Sequence, residues 1–158
     1  MLGKKDDARA FFIVDPEGVN GYGRFGDEVA CTLDSWLGDD LVRVHPLLLV
    51  TRSLARALEA ASGWSGFAVE RVCASGSPFF RHHNPGRTLP VFRSLRVYGE
   101  AGKDDMGLVP DGSLVVSMRV LECLCRYSMR HATLTQHSAA GRPRLMERLA
   151  ARWHRRHA

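Results

Sequence analysis

Long apolar runs are missing from this chain, and lysine is nearly so. No stretch approaches the roughly 18 apolar residues of a membrane-spanning helix, so no membrane span is expected. The N-terminal segment MLGKKDDARAFFIV contains a single apolar run, Phe11 to Val14, shorter than the roughly 7–15-residue core of a secretory signal. The expected location is therefore cytoplasmic, and Cys31, Cys73, Cys123 and Cys125 read as reduced thiols, not as a disulfide framework. Only three of the 22 basic residues are lysine, a bias that fits a GC-rich genome. Compositional extremes are lacking as well. With 45% hydrophobic and 25% charged residues, disordered, collagen-like and low-complexity classes are excluded. A length of 158 residues corresponds to one domain, able to bury about two-thirds of its unfolded surface without a disulfide or metal staple.

The net charge of +5 suggests nucleic-acid binding until it is located. Over residues 1–140, sixteen Lys and Arg face sixteen Asp and Glu, and the whole excess lies in residues 141–158, with six Arg and one Glu. A neutral body with a basic tail is a different object from a basic domain. In the tail GRPRLMERLAARWHRRHA, Pro143 suits a first helical position, and Leu145, Leu149 and Trp153 recur at four-residue spacing. The expectation is a basic amphipathic helix, either docked by its Leu/Trp face or touching nucleic acid, a membrane surface or an acidic protein.

Within the body, Phe11–Val14 and Phe67–Cys73 read as strands. Leu41–Val50 reads as two extended pieces parted at Pro46, and Leu89–Tyr98 as another extended stretch. Residues 15–26 read as a glycine-rich loop, and residues 27–37 as a short helix with Val29, Leu33, Trp36 and Leu37 on one face. The clearest signal occurs twice. Leu48-Leu49-Val50-Thr51, then Leu54 and Leu58, matches Leu114-Val115-Val116-Ser117, then Val120 and Leu124, at an offset of 66 residues. Each reads as a buried strand, a hydroxyl N-cap and an amphipathic helix folding back over a sheet. Thr51 or Ser53 would cap the first helix. A last strand is expected over 132–136. The fold class is α+β: a single domain over 1–140 with a mixed or antiparallel sheet and two strand–cap–helix units, followed by the basic C-terminal helix over 141–158.

Motifs for chemistry are sparse. Gly21-Tyr22-Gly23-Arg24-Phe25-Gly26 satisfies G-x-G-x-x-G. It lies six residues beyond the strand it should leave, and the acids Asp39 and Asp40 precede the next strand instead of ending it, contrary to a dinucleotide site. Cys123 and Cys125 fall on opposite sides of a helix and read as small buried hydrophobes. His82-His83 sits in a turn without a partner at ligand spacing. Ala74-Ser75-Gly76-Ser77-Pro78 lacks the strand-to-helix context of a nucleophile elbow. No enzymatic activity, cofactor or metal is expected. One patch is more specific: Asp34, Trp36, Asp39 and Asp40 place an indole among three acids beside Gly38. It is either a Trp anchoring a helix end with acids outside, or an acidic, aromatic-bearing partner surface.

Trp36-x-Gly38-Asp39-Asp40-Leu41, Leu48-Leu49-Val50-Thr51 opening a helix, Ser65-Gly66 before a strand, and Gly112-Ser113-Leu114-Val115-Val116-Ser117 opening a second helix together resemble small bacterial immunity proteins of polymorphic-toxin systems, relatives of the double-CXXCG group. The resemblance spans roughly residues 36–125. The paired CXXCG motifs are absent, and the basic tail lies outside the pattern. The resemblance implies a non-catalytic module that binds a cognate toxin or effector protein and occludes its active site. The partner-binding candidates are Asp34, Trp36, Asp39 and Asp40, suited to a basic toxin, and Arg144, Arg148, Arg152 and Arg155, suited to an acidic one. The alternative is a nucleic-acid-associated regulatory protein that contacts its target through the C-terminal Arg-rich helix.

Overall fold

In the computed structural model, the described residues are 10–137 together with Trp153 and Arg155. The chain is α+β, with strands in three mixed or antiparallel sheets and short helices. The described residues sort into two compact units, 10–15, 62–67 and 97–137 with Trp153 and Arg155 in the first, and 16–61 and 68–96 in the second.

The first unit holds β1 (Phe11–Asp15), β10 (Met106–Leu108), β11 (Leu114–Ser117) and β12 (Thr133–Gln136) in one antiparallel sheet of order β10-β11-β1-β12. β1 is an inner strand, and Phe11, Phe12 and Val14 are buried, which is why its sequence is a continuous apolar run and not an alternation. The helix Met118–Leu124 follows β11 directly and packs on β11 and β1 through Val120, Leu121 and Leu124. Ser117 Oγ accepts a hydrogen bond from Val120 N–H, the expected cap. Cys123 and Cys125 are buried, as their small-hydrophobe reading requires. Burial raises the Cys123 thiol above its ordinary pKa, against an opposing pull from Arg126.

The second unit is built from two sheets. β2 (Glu17–Gly18), β5 (Leu41–Val44), β6 (Leu47–Thr51), β9 (Phe92–Val97) and β7 (Phe67–Arg71) lie in the order β2-β5-β6-β9-β7. β5 and β6 are the two extended pieces expected on either side of Pro46, whose peptide bond is cis, and they pair antiparallel as a hairpin. β3 (Gly21–Arg24), β4 (Ala30–Leu33) and β8 (Cys73–Gly76) form a three-stranded sheet, antiparallel then parallel. Their shared core is Val19, Cys31, Leu33, Val42, Val44, Leu47, Leu49 and Phe92. Two sequence expectations fail here. The glycine-rich segment 15–26 is largely strand. The helix expected over 27–37 is β4, in which buried Cys31 and Leu33 flank exposed Thr32. Period-two burial overrides the coincidental helical spacing of Val29, Leu33 and Trp36.

Helix α1 (Arg52–Ala60) follows β6, α2 (Pro78–His83) follows β8, and the helix after β11 is α3. The strand–hydroxyl–helix corner thus occurs three times. At the corner missed from sequence, Ser77 Oγ accepts from Phe80 N–H at 3.2 Å and Pro78 opens the helix. His82 and His83 accordingly end a helix instead of lying in a turn. At α1 the expected cap is not made: Thr51 donates its hydroxyl to Asp40 Oδ1 at 2.6 Å, and no side chain caps the first turn. Ser77→Ala is expected to lower stability by about 1 kcal/mol, measurable by urea denaturation.

The boundary expected at residue 140 and most of the expected C-terminal helix lie outside the described residues. Trp153 and Arg155 are both helical, the first buried and the second exposed. No helix among the described residues is long and apolar enough to cross a membrane.

Candidate functional site

The acidic patch read from the sequence is partly withdrawn from the surface. Asp39 is fully buried and Asp34 and Asp40 are half-buried. Glu17, itself buried, accepts hydrogen bonds from the backbone N–H of Leu37 (2.7 Å) and of Asp39 (3.3 Å). Asp40 accepts the Thr51 hydroxyl, and its carbonyl accepts Thr51 N–H at 2.9 Å. Trp36 Nε1 donates to the Asp39 carbonyl at 2.9 Å, and the indole meets Phe92 edge-on with ring centroids 6.0 Å apart. The segment 36–40 is a turn fastened to β2 and β6. Trp36 serves as an anchor, and the buried Glu17 carboxylate satisfies two backbone donors of the segment, as buried polar groups require. Of the basic candidates, Arg144, Arg148 and Arg152 lie outside the described residues, and Arg155 is exposed.

What the second unit does present is a cavity of about 380 Å³ between β8, α2 and the segment leading into β9. Val72, Ala74, Phe80, Leu89 and Phe92 give it an apolar lining, and its two charged residues are Arg81 and Arg87. No carboxylate lines it. Arg81 donates to the Gly76 carbonyl at 2.8 Å. The Arg87 guanidinium rests over the Trp36 ring, 5.1 Å from its centroid, a cation–π contact worth about 0.5–1 kcal/mol at an exposed site. Neither arginine meets a carboxylate among the described residues. Exposed apolar side chains adjoin the cavity: Val91 lines it at 54% exposure, and Phe79 on α2 is 57% exposed.

The first unit carries a second polar constellation, of another character. Asp105 is buried, and its Oδ1 accepts Ser117 Oγ (2.7 Å) and Arg119 Nε (2.6 Å). Its Oδ2 accepts Arg119 Nη2 (2.6 Å) and the Ser65 N–H (2.9 Å). Arg119 also donates to the Gly63 carbonyl at 3.1 Å and lies over the Trp64 ring. Burial alone would raise the Asp105 pKa. The hydrogen bonds from Arg119, Ser117 and Ser65, together with the Arg119 charge, outweigh it and bring the carboxyl down to about 2. The same pairing raises the Arg119 pKa. A carboxylate so saturated is a poor proton acceptor near neutral pH, where a general base needs a pKa near the working pH. It is a clasp that ties together three segments of its unit.

The sequence did hold a signal for the arginine-lined cavity, at a finer scale than the division at residue 140. Residues 71–99 contain five Arg and no Asp or Glu, a local block that the neutral count over 1–140 averages away. Ser77-Pro78 is likewise a cap followed by a first-turn proline. That the block lines a cavity follows only from three chain segments meeting in space. Comparison of this chain with family models, with curated proteins and with solved structures finds no match.

Proposed function

We propose that this chain is a non-catalytic protein-binding module that acts in the bacterial cytoplasm as an immunity protein, neutralising a cognate toxin by binding it. The observation that supports this reading is the set of large apolar side chains that the second unit leaves exposed. Tyr22, Phe25, Leu37, Phe79 and Val91 are 69%, 62%, 60%, 57% and 54% exposed. Three of the five are aromatic, and aromatic side chains supply a large share of hot-spot energy at association surfaces. Stoichiometric occlusion needs only about 800 Å² from each partner, an area well within reach of a chain of this size.

The test is co-expression with the product of a neighbouring gene that is toxic on its own. Growth should be restored, and a complex of fixed stoichiometry should be recovered by size-exclusion chromatography with light scattering. Phe79→Ala should weaken that complex roughly tenfold or more while leaving the thermal midpoint unchanged. Absence of both protection and complex for the neighbouring products would overturn the reading.

The exposure of Arg155 beside buried Trp153 favours one second reading, a regulator that contacts nucleic acid through the Arg-rich C-terminal segment. Replacing Arg144, Arg148, Arg152 and Arg155 together by glutamine separates the two. Loss of salt-dependent oligonucleotide binding supports the second reading, whereas undiminished toxin neutralisation supports the first.

A further inference from the structure

We propose that the cavity between β8, α2 and residues 87–92 is the docking site for an acidic segment of the partner protein, with a partner carboxylate held by Arg81 and Arg87 and an adjoining apolar side chain seated on the lining. The inference rests on the protein-binding reading and adds the chemistry of what is bound.

Charge complementarity carries the argument. Two guanidinium groups line one cavity from which carboxylates are absent. The stretch 71–99, which supplies the whole lining, has no Asp or Glu of its own to neutralise them. Their hydrogen-bonding capacity is largely unspent. Arg81 uses one N–H on the Gly76 carbonyl, and the Arg87 guanidinium carbon lies over the Trp36 ring. A guanidinium carries five N–H donors in a planar fork, so each arginine has more donors than these contacts use for bidentate recognition of a carboxylate. Both arginines are also held before any partner arrives, one by a carbonyl and one by an indole, which lowers the ordering cost of binding.

The lining selects the class of partner. A volume of about 380 Å³ accommodates one or two side chains, not a helix. Beside the two arginines, Ser75 and Thr88 contribute the other polar side chains of the lining, and Val72, Ala74, Phe80, Leu89 and Phe92 form an apolar floor for which a sugar–phosphate strand has no matching group. The exposed aromatic beside the cavity, Phe79, is already stacked on His83, with centroids 4.0 Å apart and planes 27° from parallel. That face is not open as a base-stacking platform of the kind single-stranded nucleic acid requires. An extended acidic peptide with alternating apolar residues satisfies both the arginines and the lining.

Fluorescence anisotropy with labelled probes tests this on the full chain. The probes are a nonapeptide alternating Glu and Leu, its Lys–Leu counterpart, and a single-stranded oligothymidine. The Glu–Leu peptide is expected to bind in a salt-sensitive way and the Lys–Leu peptide not to bind. Arg81→Gln with Arg87→Gln should weaken the Glu–Leu complex roughly tenfold or more, and Arg56→Gln, at an exposed position of α1, should leave it unchanged. Both arginines are exposed, so the double variant should keep its thermal midpoint. An Arg81→Lys, Arg87→Lys variant, which keeps charge but loses the fork, should fall between the two. Equal binding of the Glu–Leu peptide by wild type and double glutamine variant, no binding at all, or tighter Arg81/Arg87-dependent binding of oligothymidine would each overturn the proposal. The two readings fail separately. A toxin neutralised equally by wild type and double variant removes the acidic docking site and leaves the immunity reading standing. Peptide binding without neutralisation does the reverse.

Discussion

Gly66→Ala should lower the stability of the first unit by about 4 kcal/mol or more, enough to leave little folded protein if total stability is in the ordinary range of about 5–15 kcal/mol. Gly66 has φ +91°, and a Cβ there would lie 2.1 Å from the Met106 carbonyl oxygen, 2.8 Å from Asp104 Cβ and 3.1 Å from Gly99 Cα. The first and last of these atoms are main chain, so no side-chain rotation relieves the overlap. The Gly66 carbonyl also accepts the N–H groups of Tyr98 and Gly99, both at 2.9 Å, which fixes its position against the very backbone that a methyl would strike. Gly63 is the control. It too has positive φ, +78°, but nothing lies within 4 Å of an added Cβ, so Gly63→Ala should cost only the conformational penalty of about 1–2 kcal/mol. Urea denaturation of the two variants separates overlap from conformation. Equal losses would show that the backbone near Gly66 yields.

Asp105→Ala should cost about 3 kcal/mol, because it leaves a guanidinium, a hydroxyl and a buried-side N–H without their shared acceptor. Arg119→Gln should cost only about 1 kcal/mol, since the arginine side chain is 53% exposed and water screens its half of the pair. The Asp105 carboxyl titrates at about 2 in the folded chain, against about 3.9 when unfolded. Its ionised form therefore stabilises the fold fully above about pH 4. That contribution, about 2 kcal/mol, fades as pH falls toward 2. Denaturation midpoints taken from pH 6 down to pH 2 should show wild type losing more stability than Asp105→Asn, whose amide cannot titrate. Parallel curves would mean that other carboxyl groups govern the acid limb.

These two sites show what the sequence could and could not convey. The strand–hydroxyl–helix corners at 48–58 and 114–124 were legible because local chemistry sets them: apolar residues, a hydroxyl, then helical spacing. Even there the match was formal at Thr51, whose hydroxyl turns to Asp40, a partner eleven residues away. The segment 15–33 misled because glycine commonly marks loops, whereas Gly23 lies in β3 for the room it leaves. A Cβ there would sit 2.8 Å from Leu47 Cγ, a residue of the neighbouring core. The burial of Asp39 was not legible either. Carboxylates are read as surface by default, and the acceptor that fixes this turn, Glu17, lies twenty residues upstream of Leu37. The arginine-lined cavity needed residues 72–76, 80–81 and 87–92 brought together, and no local pattern states that they meet. The Asp105 clasp joins Ser65 to residues forty and more positions later. It was equally invisible.

The placement of β1 has a consequence for how the chain leaves the ribosome. Phe11–Asp15 is synthesised well before both of its neighbours, β11 and β12, which lie about a hundred residues downstream. At about 5–20 residues per second, this strand of Phe, Phe, Ile and Val spends roughly 5–20 seconds in the nascent chain before Leu114 and its neighbours emerge to pair with it. Residues 16–96 carry every strand of the two other sheets apart from Val97 at the end of β9 and come out within that interval. Translation thus delivers the second unit whole while the first still lacks its central pairing. Until β11 and β12 emerge, the apolar strand β1 is without its native cover.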